Sequence, residues 1–245
     1  METQTKPKAK SRAPLSRERV LRAAVILADA GGIESLTMRK LGEELGVEAM
    51  SLYNHVANKD HLLDGLVDLV VSEIEVPSIG AEWKPAMRRR ASSAREVLSR
   101  HQWAASLIES RIKPGPATLR YHDSVLGILR EAGFSIEMAA HAFSLLDSYI
   151  FGFGVQEMSM PIGTPEELAK VAKIFQRRLE ADDYPYLAEM TEHAVKSGYD
   201  HANEFEFGLD LILDGLETLR DKAANKRQRT TSRRTSAKVG RRHEA

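Results

Sequence analysis

The residues best suited to chemistry lie in one short stretch, LTMRKLGEELGVEAMSLYNHVANKDHL, from Leu36 to Leu62. Within it, Ala49, Met50, Ser51, Tyr53, Asn54 and His55 are small, polar, or large with little or no charge. Such side chains reach base edges or phosphate oxygens without setting a negative charge against a polyanion. Arg39, Lys40 and Lys59 add positive charge around them. The group offers hydrogen-bond donors and cations for recognition, with no nucleophile paired to a base.

Two short helices crossing at a steep angle must position these groups. Leu41, Leu45, Val47, Leu52 and Val56 fall where such helices would touch. Gly46 sits at the reversal, where a positive φ is needed, and Gly42 lets the second helix come close. Thr37 is placed to cap the first helix, and Asn58 the helix after the second. The pattern predicts a helix-turn-helix, whose second helix enters the major groove. A plain helical hairpin with a solvated polar face is the competing reading. Glycine spacing, apolar spacing and surface chemistry together favour DNA.

The extended segment LTMRKLGEELGVEAMSLYNHVANKDHLLDGL resembles the DNA-binding domain of the TetR family of bacterial transcription regulators. Its LYxHVxNK and LLDxL elements are similar to the tetracycline-repressor branch. The specific match runs from Leu15 to Val71, and the rest is similar in helix order and final helix. The resemblance implies an all-α fold: an N-terminal three-helix DNA-binding domain, then an α-helical ligand-binding and dimerisation domain. It implies a homodimeric repressor released from a palindromic operator by a small-molecule inducer. Thr37, Tyr53 and Lys59 match phosphate-contacting positions, Arg39 a guanine-reading one, and His55 a backbone-contacting one. Ala49, Met50 and Ser51 match the base-reading front of the second helix. Asn54 replaces a frequent aromatic and Ala49 a longer polar side chain, so the family's operator sequence does not transfer. Tetracycline repressors bind a drug–metal chelate. Here His101, His122, His141, His193 and His201 form no HxxxH or HExxH spacing, so neither metal nor cofactor is expected.

The chain has 245 residues, 42% hydrophobic, with formal net charge zero. Both ends are basic, so an acidic middle masks a DNA-facing surface. Cysteine is absent, which excludes disulfides and thiol catalysis and suits a reducing cytoplasm. No apolar run approaches the roughly 18 residues that span a bilayer. A Gly-rich phosphate loop, a GxSxG motif and recognisably paired carboxylates are all missing, so an enzyme is not expected. The expected organisation is a disordered basic arm (1–15), a DNA-binding domain with its connecting helix (16–76), a ligand-binding and dimerisation domain (77–221), and a disordered basic tail (222–245). A ligand-independent architectural DNA-binding protein using both basic ends is the alternative.

Beyond the helix-turn-helix, Asn58 to Glu75 reads as a lever helix. Arg88, Arg89 and Arg90 read as a solvated face, and Thr164-Pro165-Glu166-Glu167 as a helix start. Ala139, Phe143, Leu146, Ile150 and Phe153 repeat at four-three spacing, as do Phe205, Leu209, Ile212, Leu216 and Leu219. Such stripes pack helices at shallow angles, inside one subunit or between two. The resemblance favours two, which makes Phe143, Ile150, Phe205, Leu209, Ile212, Leu216 and Leu219 the expected dimer interface. Trp103, His122, Phe143, Leu146, Tyr149 and Phe153 are the candidate ligand contacts.

Overall fold

A computed structural model describes residues 14–78, 80–159, 167, 170–174, 183–197 and 201–240, with the side chains of 201, 202 and 227–240 left out. The described residues contain helices and no strand. Helix α1 (Arg17–Gly31) starts where the Ser16 hydroxyl accepts from the Arg19 amide at 3.2 Å. After a 3₁₀ turn (Ile33–Ser35) come α2 (Met38–Leu45), α3 (Ala49–Leu52) and α4 (Lys59–Val71). Thr37 caps α2, accepting from the Lys40 amide, and Asn58 caps α4, accepting from the His61 amide at 2.7 Å. Val20, Ala24, Leu41, Leu52, Val56, Leu62 and Leu66 are buried together where these helices meet. Each of the valine and leucine side chains contributes about 1.5–3 kcal/mol.

The rest comprises α5 (Trp83–Arg100), α6 (Ala104–Ser110), α7 (Pro116–Glu131), α8 (Ile136–Ser159), α9 (Pro185–Ser197) and α10 (His201–Gly240). Helix α8 packs on α5, α6, α7 and α10. Contrary to the sequence expectation, α8 is long and apolar enough to meet the length and composition of a membrane span. Its Ala139, Ala142, Leu146, Ile150 and Phe153 are buried within the protein. The helix start at 164–167 lies largely outside the described residues, of which Glu167 and 170–174 are helical.

Three expectations need correction. Arg90 is not on a solvated face: its side chain is fully buried, while Arg88 and Arg89 are partly exposed and pair with Asp210 and Glu75. The four-three stripes meet inside one subunit. Ile150, Phe205, Leu209 and Leu216 are buried, Ile212 and Phe143 are partly buried, and only Leu219 is open, at 52% exposure. A register of large apolar residues does not say which neighbour covers it, and here α8 and α10 cover each other. Finally, α10 continues through residues 222–240 as helix, where a disordered tail was expected. The helix runs on from the packed segment that ends near Arg220.

Helix α10 runs antiparallel to α5. Arg95 lies over the Phe205 ring, Lys84 pairs with Asp214 and Glu217, and Arg220 lies over the Trp83 ring. The other end of α5 reaches α1 through His101 and Asp29. The extension of α10 therefore departs from the end of α5 remote from that contact.

Candidate functional site

The exposed group of the helix-turn-helix is built on two backbone features. Gly46 adopts φ 65° and ψ 39°, the left-handed conformation that ends α2 and turns the chain. A Cβ on Gly42 would stand 2.9 Å from the Val47 carbonyl oxygen and 3.3 Å from the Ala49 Cα, so α3 rests directly on α2. Leu52 and Val56 are buried beneath, while Met50 is 73% exposed. Thr37, Arg39, Tyr53 and Lys59 are exposed, and Ala49, Ser51 and His55 are half-buried. All eight predicted DNA-facing residues thus lie in or beside one compact unit. Arg39 donates to Glu43, 2.9 Å away on the same exposed helix face. Such a pair contributes little and yields easily to a phosphate or base. Helix α3 is shorter than the sequence suggested. After Leu52 the chain tightens, with the His55 amide donating to the Leu52 carbonyl.

A cavity of about 340 Å³ lies between α4, α6, α7 and α8. Val67 and Val71 of α4 form one wall, and Ile108, Tyr121, Phe143 and Phe151 supply further apolar surface. Glu109, Lys113, His122, Ser144, Asp147 and Ser148 supply polar groups. Of the predicted ligand residues, His122 and Phe143 line this cavity, with rings 5.0 Å apart and edge to face. Trp103, Leu146, Tyr149 and Phe153 do not. Leu146 is core, Tyr149 donates to the Phe205 carbonyl, Phe153 packs on the Phe205 ring, and Trp103 donates to Asp29.

Behind the cavity wall, Arg90 donates from Nε to the Tyr121 hydroxyl at 2.7 Å and from Nη2 to Asp147, leaving Nη1 without a partner among the described residues. Burial pushes the Tyr121 hydroxyl well up, so it stays protonated. Burial lowers His122, keeping its imidazole neutral to lower pH, and burial with the nearby Asp147 raises the Glu109 carboxyl. Sequence reading passed over Asp147, although a carboxylate inside the apolar run AFSLLDSYIF of α8 is the signal that could have found it.

Helix α4 joins the two regions. Its acidic positions Asp60, Asp64 and Asp68 recur every four residues and are held from the α6–α7 side. Arg111 donates to Asp64 at 2.6 Å and Asp60 at 3.2 Å, and Thr118 donates from its amide to Asp68 at 2.8 Å. Arg111 and Thr118 also line the cavity.

A helix-turn-helix whose following helix, α4, forms one wall of a cavity defines the class: a DNA-binding transcriptional regulator. Residues 20–66 match the model for bacterial regulatory proteins of the tetR family, and residues 76–220 match the tetracyclin repressor-like C-terminal domain. The chain belongs to the tetR family. It is 32% identical to the HTH-type transcriptional repressor DrrR1 of Streptomyces coeruleorubidus, over 89% of this chain and 83% of that protein. It is also 32% identical to the class A tetracycline repressor of transposon 1721 from Escherichia coli, over 80% and 88% respectively. Among solved structures, the Streptomyces coelicolor protein ActR in complex with actinorhodin superposes with TM-score 0.73 at 30% identity, covering 85% of this chain and 99% of that one.

Proposed function

We propose that this protein is a homodimeric, non-enzymatic repressor that leaves a palindromic operator when a small molecule fills the cavity between α4, α6, α7 and α8. The observation that carries the reading is α4 itself. Its first turn follows the helix-turn-helix, and Val67 and Val71 near its other end line the cavity. A ligand pressing on that wall, or on Arg111 and Thr118, would move α4 and with it the reading unit. In a dimer, half-sites sit roughly 34–36 Å apart, so a small change in head separation costs one of the two contacts. Linkage then requires inducer and operator to weaken each other by the same factor. Relatives named as repressors, and a structural neighbour holding actinorhodin, support this reading.

In this reading residues 16–76 form the DNA-binding domain and 77–221 the ligand and dimer domain. Thr37, Tyr53, His55 and Lys59 hold the backbone, Arg39 reads a guanine, and Ala49, Met50 and Ser51 face the groove. The dimer forms through the outward faces of α8 and α10. Leu145 and Val155 on α8, with Phe207, Leu211 and Leu219 on α10, are 42–65% exposed and form an apolar surface. Two copies of it make an isologous four-helix contact. The protein works wherever its operator DNA is accessible, the cytoplasm of a bacterium.

The test is selection of bound fragments from a random DNA pool by the purified protein, followed by fluorescence anisotropy on the recovered sequence during a compound screen. An inverted repeat released by a compound that also raises Tm supports the reading. Recovery of unrelated sequences with no repeat defeats it and favours an architectural role.

A further inference from the structure

Besides α4, a second connection joins the DNA-binding unit to the rest of the protein. Asp29, in the last turns of α1, points its Oδ1 at the junction of α5 and α6. That single oxygen accepts from Trp103 Nε1 at 2.7 Å and stands 2.8 Å from His101 Nδ1. Both rings are largely buried, at 8% and 7% exposure. The other face of the imidazole is equally engaged: His101 Nε2 stands 3.3 Å from Glu73 Oε2, just after α4, and that oxygen also accepts from Arg100 at 2.8 Å. The groups facing His101 are thus Asp29 from α1, Glu73 from the segment after α4, and Arg100 and Trp103 from its own junction.

A neutral imidazole carries one N–H and one lone pair. With a carboxylate oxygen at each nitrogen, only the imidazolium donates both ways. The neutral ring satisfies one carboxylate and turns a lone pair on the other. Asp29 keeps the Trp103 N–H, and Glu73 keeps the Arg100 N–H, whichever nitrogen of His101 carries the proton. Trp103 immediately precedes α6, whose Ile108 and Glu109 line the cavity.

We propose that His101 and Trp103 are positioning residues for operator binding. They clasp Asp29 and so fix the pose of the DNA-binding unit, with the other edge of the His101 ring set against Glu73. A fixed pose spares the cost of ordering the unit when both heads engage DNA. The inference concerns operator binding without ligand and stands apart from the inducer reading.

The experiment measures operator affinity by fluorescence anisotropy at one pH and ionic strength, for the full-length wild type, for Trp103→Phe, Asp29→Asn and His101→Gln, and for the double variant Asp29→Asn with Trp103→Phe. Helicity and oligomeric state are checked for each. Trp103→Phe removes the N–H together with the five-membered part of the indole, and Asp29→Asn removes the charged acceptor without changing its size; a weakening of roughly threefold to tenfold in each is expected from loss of a hydrogen bond to a charged group. His101→Gln removes the imidazole that stands between Asp29 and Glu73, and its affinity should fall by a similar factor. Affinity losses that simply add in the double variant Asp29→Asn with Trp103→Phe overturn the clasp, because two partners in one contact lose it only once. Wild-type affinity in both Trp103→Phe and Asp29→Asn overturns the clasp. Neither result touches the inducer reading, which rests on release by a compound.

Discussion

Replacing Arg90 with methionine tests the buried pair behind the cavity. Arg90 is fully buried, and its partner Asp147 is only 14% exposed. Methionine fills much of the same space but leaves the Asp147 carboxylate, and the acceptor side of the Tyr121 hydroxyl, without their donor. Breaking a buried pair from one side costs about 3–5 kcal/mol. At about 2–4 °C per kcal/mol for a chain of this size, Tm should fall on the order of 10 °C. Removing both charges together, as Arg90→Met with Asp147→Leu, replaces the pair with apolar contact and should recover most of that loss. The assay is urea unfolding of both single variants and the double variant, at one fixed protein concentration because dimer dissociation contributes to apparent stability. Steeply non-additive effects are the expected result. If Arg90→Met alone is as stable as the double variant, the carboxylate does not depend on Arg90, and the electrostatic account of the cavity wall fails.

Leu211→Glu, at a position 59% exposed on α10, should shift the protein toward monomer in sedimentation velocity and abolish tight binding to an inverted repeat while leaving helicity unchanged. Arg39→Ala should weaken the cognate operator by about 1–3 kcal/mol and relax selectivity at one base pair in a selection experiment. Lys59→Ala should weaken all sequences alike and flatten the logarithmic salt dependence by about 1, read from anisotropy titrations at several salt concentrations. Because burial holds His122 below its ordinary range, the unfolded chain takes up its proton first as pH falls. The folded state therefore loses stability from the ordinary histidine range downward, and His122→Gln should remove that part of the acid-side slope in urea melts across pH.

The helix-turn-helix was legible because its determinants are local. Thr37, Gly46 and Asn58 act within four residues of their own positions, and the spacing of Leu41, Leu45, Leu52 and Val56 states which side faces inward. The cavity and the interdomain contacts were less legible because their partners are far away along the chain. Arg90 reads as one of three solvated cations until α8 brings Asp147 to it from 57 positions away. Trp103 reads as a ligand contact until its N–H meets Asp29, 74 positions earlier. The stripe on α10 was seen correctly as apolar, but Phe207 and Leu211 stand on a second apolar side that four-three counting from Phe205 skips. Residues 222–240 look unstructured from their Ser, Thr and Arg content, yet they continue a helix already nucleated upstream, where each added residue needs only one more hydrogen bond.

Because Val67 and Val71 belong to the same rod that carries the reading unit, mutational genetics at those two positions will be ambiguous. An allele there that no longer responds to an inducer can have lost the pocket, the stroke of the rod, or the seating of the helix-turn-helix beneath it. Clean unresponsive alleles, which bind operator normally and ignore the compound, should instead map to the far wall, at His122, Phe143 and Ser144.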